Sequence, residues 1–119
     1  MIVAGELIEH LSNPGIFLKN MHMHLKNSGR FIITTPNAYA LRYTIKHLLS
    51  GIVVPNSQHA FYFDYFTLKE LCERHDFLVE ESYYFFDFQP SFLKNLVYKV
   101  FTCIHKSYAP RIMFVLKKK

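Results

Sequence analysis

The most constraining feature of this sequence lies in its first 37 residues, where strand-like, helix-like and strand-like patterns follow one another with very short connections. Met1 to Ala4 is short, apolar and β-branched and runs into Gly5, as a buried parallel strand entering a turn does. Ser12-Asn13-Pro14 joins a capping side chain to a proline in the first turn, which marks a helix start. Phe17, Leu18, Met21 and Leu25 recur at helical spacing, and Asn27-Ser28-Gly29 stops the run. Arg30 to Thr35 is β-rich and ends on the turn signal Pro36-Asn37. A strand, a helix and a second strand joined this tightly form a βαβ unit, so the fold class is α/β.

The remainder continues the alternation. Ala38 to Leu49 is helix-like and Gly51 terminates it. Ile52 to Asp64 is irregular and aromatic. Thr67-Leu68-Lys69-Glu70 matches a capping box, so a helix is expected from Thr67 to near Asp76. Leu78 to Phe86 reads as a long strand, Phe92 to Ser107 as an amphipathic helix and Ile112 to Leu116 as a last strand. Half of the residues are hydrophobic and 17% are aromatic, which calls for a packed core and excludes a disordered chain.

The net charge of +5 favours anionic partners, but the cations are scattered apart from Lys117-Lys118-Lys119. Cys72 and Cys103 fall in helical patterns and form no C-x-x-C, which points to a reduced, cytoplasmic setting. The N-terminus has no basic stretch ahead of an apolar one, so no signal peptide is expected. No apolar run reaches the ~18 residues of a membrane span.

Four segments in order carry a resemblance: Ala4 to Pro14, Leu25 to Arg30, Thr34-Thr35-Pro36-Asn37, and Leu68 to Phe77. Together they resemble the second half of class I S-adenosylmethionine-dependent methyltransferases, from the fourth strand to the seventh. The resemblance implies a partial methyltransferase domain over residues 1–119, with a Rossmann-like sheet and a substrate-side helical insert over 38–66 after the second strand. It also implies that Ala4 and Gly5 edge the cofactor. The Gly-rich loop that cradles S-adenosylmethionine in that family has no counterpart here, because Gly5, Gly15, Gly29 and Gly51 form no G-x-G. Two departures are local: Asn27-Ser28-Gly29 stands where relatives usually have Pro-Gly-Gly, and Asp76 stands where they have Gly. Asp tolerates the left-handed turn that a Gly would serve there. An N-terminal strand that is internal in the family is expected to expose its edge, inviting self-association or a partner carrying the first half.

Glu6, Glu9 and His10 have i, i+3, i+4 spacing, which places them on one face of a helical turn with Leu7, Ile8 and Leu11 toward the core. The turn would sit at the carboxyl end of a parallel strand, where open α/β sheets bind ligands. Carboxylate and imidazole together suit a divalent metal such as Mg or Zn. The arrangement resembles the Glu-x-x-Glu-His of small-RNA 2′-O-methyltransferases and ubiquinone-pathway O-methyltransferases. That resemblance implies a metal held by Glu6, Glu9, His10 and a later histidine, His59. Its role would be to activate a ribose or small-molecule hydroxyl, with Glu9 and His10 catalytic and His59 near the substrate. Two other readings stand beside it: acidic residues favouring a helix N-terminus, and His10 acting without metal. The resemblance implies a substrate or cofactor contact at Asn37, which by residue type alone reads as a turn and helix cap. The aromatic 38–66 insert reads as a lid with a substrate pocket or as core. His22-Met23-His24 reads as surface, since i and i+2 point apart on a helix. The basic Phe92 to Ser107 helix, with Lys94, Lys99 and Lys106, reads as a cover for the sheet or as a membrane-surface helix.

The expectation is therefore methyl transfer from S-adenosylmethionine to oxygen in the complete domain. The rival expectation is a non-enzymatic truncated half-domain or partner-binding module.

Overall fold

The computed structural model describes residues 1–51, 56–86 and 92–119, with the side chains of Phe92, Lys94 and Tyr98 outside the description. Strand β1 (Ile2–Gly5) leads through a short 3-10 turn at Ile8–His10 to helix α1 (Pro14–His24) and strand β2 (Phe31–Pro36). Helix α2 (Leu41–Ser50), helix α3 (Tyr65–Arg74), strand β3 (Phe77–Phe85), helix α4 (Phe92–Ile104) and strand β4 (Arg111–Lys118) follow. The four strands form one sheet in the order β1-β2-β4-β3. β1 and β2 are parallel, as the βαβ reading requires, and β4 runs antiparallel between β2 and β3.

One face of the sheet holds the core. Phe31 and Ile33 on β2, Ile112, Phe114 and Leu116 on β4, and Phe77 on β3 are buried there. Leu18 of α1 and Leu68 and Cys72 of α3 pack onto them. The alternation along β4, buried at every second residue, is the pattern of a strand with one face inward. Burial pushes the Cys72 thiol up to about 12, with nearby Glu73 adding to the effect, so this cysteine behaves as an inert apolar side chain.

Local chemistry sets the element ends. The Asn13 side chain accepts from the Ile16 amide at 3.0 Å and Pro14 fills the first turn, starting α1 as the sequence indicates. Gly51 closes α2 at φ 66°, and Asp76 takes φ 63° where the resemblance placed a glycine. Helix α3 begins two residues earlier than the sequence suggests. Asp64, not Thr67, is its cap: one Asp64 oxygen accepts from the Phe66 and Thr67 amides at 2.7 and 3.1 Å, while Thr67 Oγ1 accepts from the Asp64 amide. Glu70, expected in a capping box with Thr67, instead pairs with Arg74 at 2.8 Å. His22 is not a plain surface residue, because its ring sits edge-on to Phe77 at 5.4 Å.

The largest departure concerns α4. A helix that covered the sheet would bury its apolar stripe, but Leu93, Leu96, Val97, Val100 and Ile104 are all exposed. The insert divides. Phe63 is buried and Tyr65 packs edge-on against Phe114 at 5.3 Å, whereas Tyr39 and Phe66 are exposed. The expected irregular stretch from Ile52 lies partly outside the described residues, at 52–55.

Candidate functional site

The site grows out of the end of β1. Ala4 is buried against the core and pairs with Ile33, and Gly5 pairs with Thr34. Glu6 then takes φ 51°, a left-handed conformation unusual for a glutamate, while its amide donates to the Thr34 carbonyl at 3.0 Å. This single residue turns the chain off the strand. The 3-10 turn that follows drives both Ile8 and Glu9 inward.

The expected shared face of Glu6, Glu9 and His10 therefore does not form. A face with that spacing needs α-helical geometry from residue 6 onward, and the left-handed Glu6 followed by a three-residue 3-10 turn breaks the register. A Glu6 carboxylate oxygen lies 3.7 Å from Arg111 Nε, and Leu7 is exposed rather than buried. Glu9, expected on the open side, is 1% exposed.

His59 does come to His10. Their rings meet edge-on with centroids 4.7 Å apart. The backbone explains the approach: the Glu9 carbonyl accepts from the Ala60 and Phe61 amides at 2.8 and 3.1 Å, pinning the returning insert onto the 3-10 turn. Glu9, His10 and His59 each offer a ligand atom within 4.8 Å of the others, and Glu6 is not among them.

The electrostatics of the trio are specific. Thr35 Oγ1 donates to Glu9 Oε2 at 3.1 Å, but the buried Oε1 has no hydrogen-bond partner. It faces His10 Nε2 at 3.9 Å. The Gln58 carbonyl lies 2.9 Å from His10 Nδ1, and a carbonyl only accepts, so Nδ1 carries a proton. That leaves Nε2 as the ring nitrogen on the Glu9 side. A proton on the ring or a bound cation would each place positive charge beside the Glu9 carboxylate. The same carbonyl bond to the far ring nitrogen is how metal-ligating histidines are oriented. Glu9, His10 and His59, with one carboxylate oxygen that has no hydrogen-bond partner, are the described residues whose donor types could hold a divalent cation.

Asn37 is employed elsewhere. Its amide nitrogen donates to the Ser107 and Ala109 carbonyls, the latter at 2.8 Å, and its oxygen accepts from the Tyr39 amide at 3.1 Å. Both donors are spent holding the β2 end to the segment before β4, so a substrate contact through them would require breaking buried bonds. Sequence reasoning missed Thr35 and Gln58. Thr35 left a signal, since period-two alternation places it inward beside Phe31 and Ile33, where a lone hydroxyl needs a partner. Gln58 left none, because it acts through its backbone carbonyl.

Comparison with known proteins decides the family. A family model described as a methyltransferase domain matches residues 1–82. The chain belongs to this methyltransferase domain family. Among solved structures, an S-adenosylmethionine-dependent methyltransferase from Mesorhizobium loti superposes with a TM-score of 0.58 at 12% identity, over 98% of this chain and 60% of that one. The small RNA methyltransferase HEN1 gives 0.62 at 14% identity, over 98% of this chain and 13% of that one. A chain from the complex between the Haloferax volcanii Trm112 methyltransferase activator and a methyltransferase gives 0.63 at 12% identity, over 98% and 52%. At such identities the likeness concerns the fold, a Rossmann-like methyltransferase sheet. The chain spans 60% or less of the length of each of these structures. No curated protein matches the sequence.

A Cβ added at Gly5 would meet only Thr34 Oγ1, at 3.4 Å, so the protein itself leaves space beside this glycine at the end of β1.

Proposed function

We propose that this chain forms the acceptor side of an S-adenosylmethionine-dependent methyltransferase that methylates a hydroxyl, on a ribose or a small molecule. The observation that carries the reading is the buried Glu9 Oε1, unpartnered and facing His10 Nε2 with His59 alongside. Glu9, His10 and His59 would hold a divalent cation such as Mg or Zn. A cation bound there supplies the positive charge that lowers the pKa of an acceptor hydroxyl. Thr35 fixes the Glu9 carboxylate, and the Gln58 carbonyl fixes the His10 ring. Ala4 and Gly5 would edge the cofactor. The test is transfer of tritiated methyl from S-adenosylmethionine to hydroxyl acceptors by the domain at full length. Transfer to oxygen is expected, falling about a hundredfold on chelation, as loss of a catalytic cation implies. Undiminished transfer in the presence of a chelator would overturn the metal role, and methylation confined to nitrogen or carbon would overturn the hydroxyl assignment.

The sheet edges favour a partner. β3 is guarded by charge, with Glu80 paired to Arg30 and to Lys117. Among the described residues β1 is an outermost strand of the sheet and carries no charged residue. We assign this free edge to pairing with a strand of the same domain or of a second copy. The same edge suits the rival reading of a non-enzymatic half-domain that works by pairing. Light scattering of the isolated chain is expected to give mass that rises with concentration; a monomer at every concentration would contradict the pairing. The free thiols Cys72 and Cys103 fit a reducing, cytoplasmic setting.

A further inference from the structure

Helices α2 and α4 leave the sheet from one edge. Pro36, ending β2, and Phe85, ending β3, both pair with Arg111, so the two strands finish at the same level. Thr35, which holds Glu9, is one residue from that edge. Each helix leaves its apolar stripe in the open. On α4, Leu93, Leu96, Val97, Val100 and Ile104 fall at i, i+3, i+4, i+7 and i+11, and all are exposed, Leu93 by 68% and Ile104 by 71%. On α2, Leu48 and Leu49 are 77% and 83% exposed. Uncovered apolar surface on this scale marks an interaction site.

Charge says what covers it. By sequence α2 carries Arg42 and Lys46, α4 carries Lys94 and Lys99, and neither helix holds an Asp or Glu. All nine side-chain carboxylates of the chain lie outside the two helices. Arg42 and Lys46 stand on α2 and Lys99 on α4, all exposed, and exposed Lys106 follows α4. A protein partner needs no such purge of acid from two segments far apart in sequence; a uniformly anionic surface does. Among the described residues no helix is long and apolar enough to cross a membrane, and an amphipathic helix that binds one lies along its surface.

We propose that α2 and α4 form one docking surface for an anionic lipid bilayer, which holds the sheet edge bearing Glu9, His10 and His59 at the lipid. The docking is independent of the methyl-acceptor assignment, and its test reads binding rather than activity. The chain is sedimented with vesicles of equimolar phosphatidylcholine and phosphatidylglycerol, and with phosphatidylcholine alone. Binding is expected on the anionic vesicles and about tenfold weaker or more on the neutral ones, with raised salt weakening the former. Replacing Leu48 and Leu49 by Asp, or Leu96 and Val100 by Asp, is expected to cost about tenfold each, and all four together to abolish binding. These side chains are exposed, so circular dichroism and the melting temperature should not change. Lys46→Glu with Lys99→Glu, which leaves the apolar stripes intact, should remove the preference for anionic lipid. A chain that stays in the supernatant with anionic vesicles overturns the proposal, as does undiminished binding by the aspartate variants. So does a dimer that the aspartate substitutions turn into monomer while vesicle binding persists, since the faces would then cover a second copy.

Discussion

Glu9→Gln is expected to lower the affinity of the chain for Mn or Zn by about a hundredfold. The substitution keeps side-chain length and an oxygen for Thr35 Oγ1 to donate to, so the turn at Ile8–His10 keeps its anchor. What it removes is the negative charge at Oε1, the one buried Glu9 atom with no partner in the protein. Titration calorimetry of each variant reads the effect. His10→Ala should act in the same direction, through loss of the nitrogen 3.9 Å from that oxygen. Glu6→Gln should leave affinity unchanged, because the Glu6 carboxylate is directed to Arg111. Equal losses from Glu6→Gln and Glu9→Gln would restore the shared-face arrangement that the spacing suggested and contradict the geometry described above.

Phe114→Ala is expected to destabilise the chain by about 3–5 kcal/mol. Phe114 is fully buried on β4, the strand that joins β2 to β3, and pairs with Ile33 on one side and Ser82 on the other. Its ring meets Tyr65 edge-on at 5.3 Å, tying α3 to the sheet. Few other residues could refill the space, since the neighbouring strands are held in register by their own hydrogen bonds. A domain of this size is stable by about 5–15 kcal/mol, so the loss removes much of the margin. Urea denaturation checks it: a midpoint within error of the parent would mean that the core packs elsewhere.

How much was legible beforehand divides along a physical line. Local rules were readable where one residue type has one cheap solution. Asn13-Pro14 starts a helix, Gly51 ends one, and Asp76 accepts the left-handed turn. The parallel pairing of β1 and β2 followed from short connections. The insertion of β4 between β2 and β3 is a long-range pairing that no local pattern encodes. The start of α3 differs because Asp64 and Thr67 are both good caps, and their reciprocal hydrogen bonds, with half-buried Tyr65 packed on Phe114, set the earlier one.

At the site, spacing identified the right segment but assumed the wrong helix. Periodicity presumes continuous helical geometry, and one left-handed residue, Glu6, removes it. The approach of His59 to His10 depends on the Glu9 carbonyl gripping Ala60 and Phe61, a backbone contact invisible to side-chain patterns. Periodicity also found the apolar stripe of α4 without revealing that the sheet leaves it uncovered. Amphipathicity tells which face is apolar, not what meets it.

The most direct test of the central claim is an anomalous difference map from crystals of this chain grown with Mn. The account predicts a peak about 2.0–2.2 Å from Glu9 Oε1, from His10 Nε2 and from a ring nitrogen of His59, with Glu6 still directed to Arg111. A map with no peak among these three side chains, or with a proton-shared contact drawing Glu9 and His10 to hydrogen-bonding distance, would contradict it.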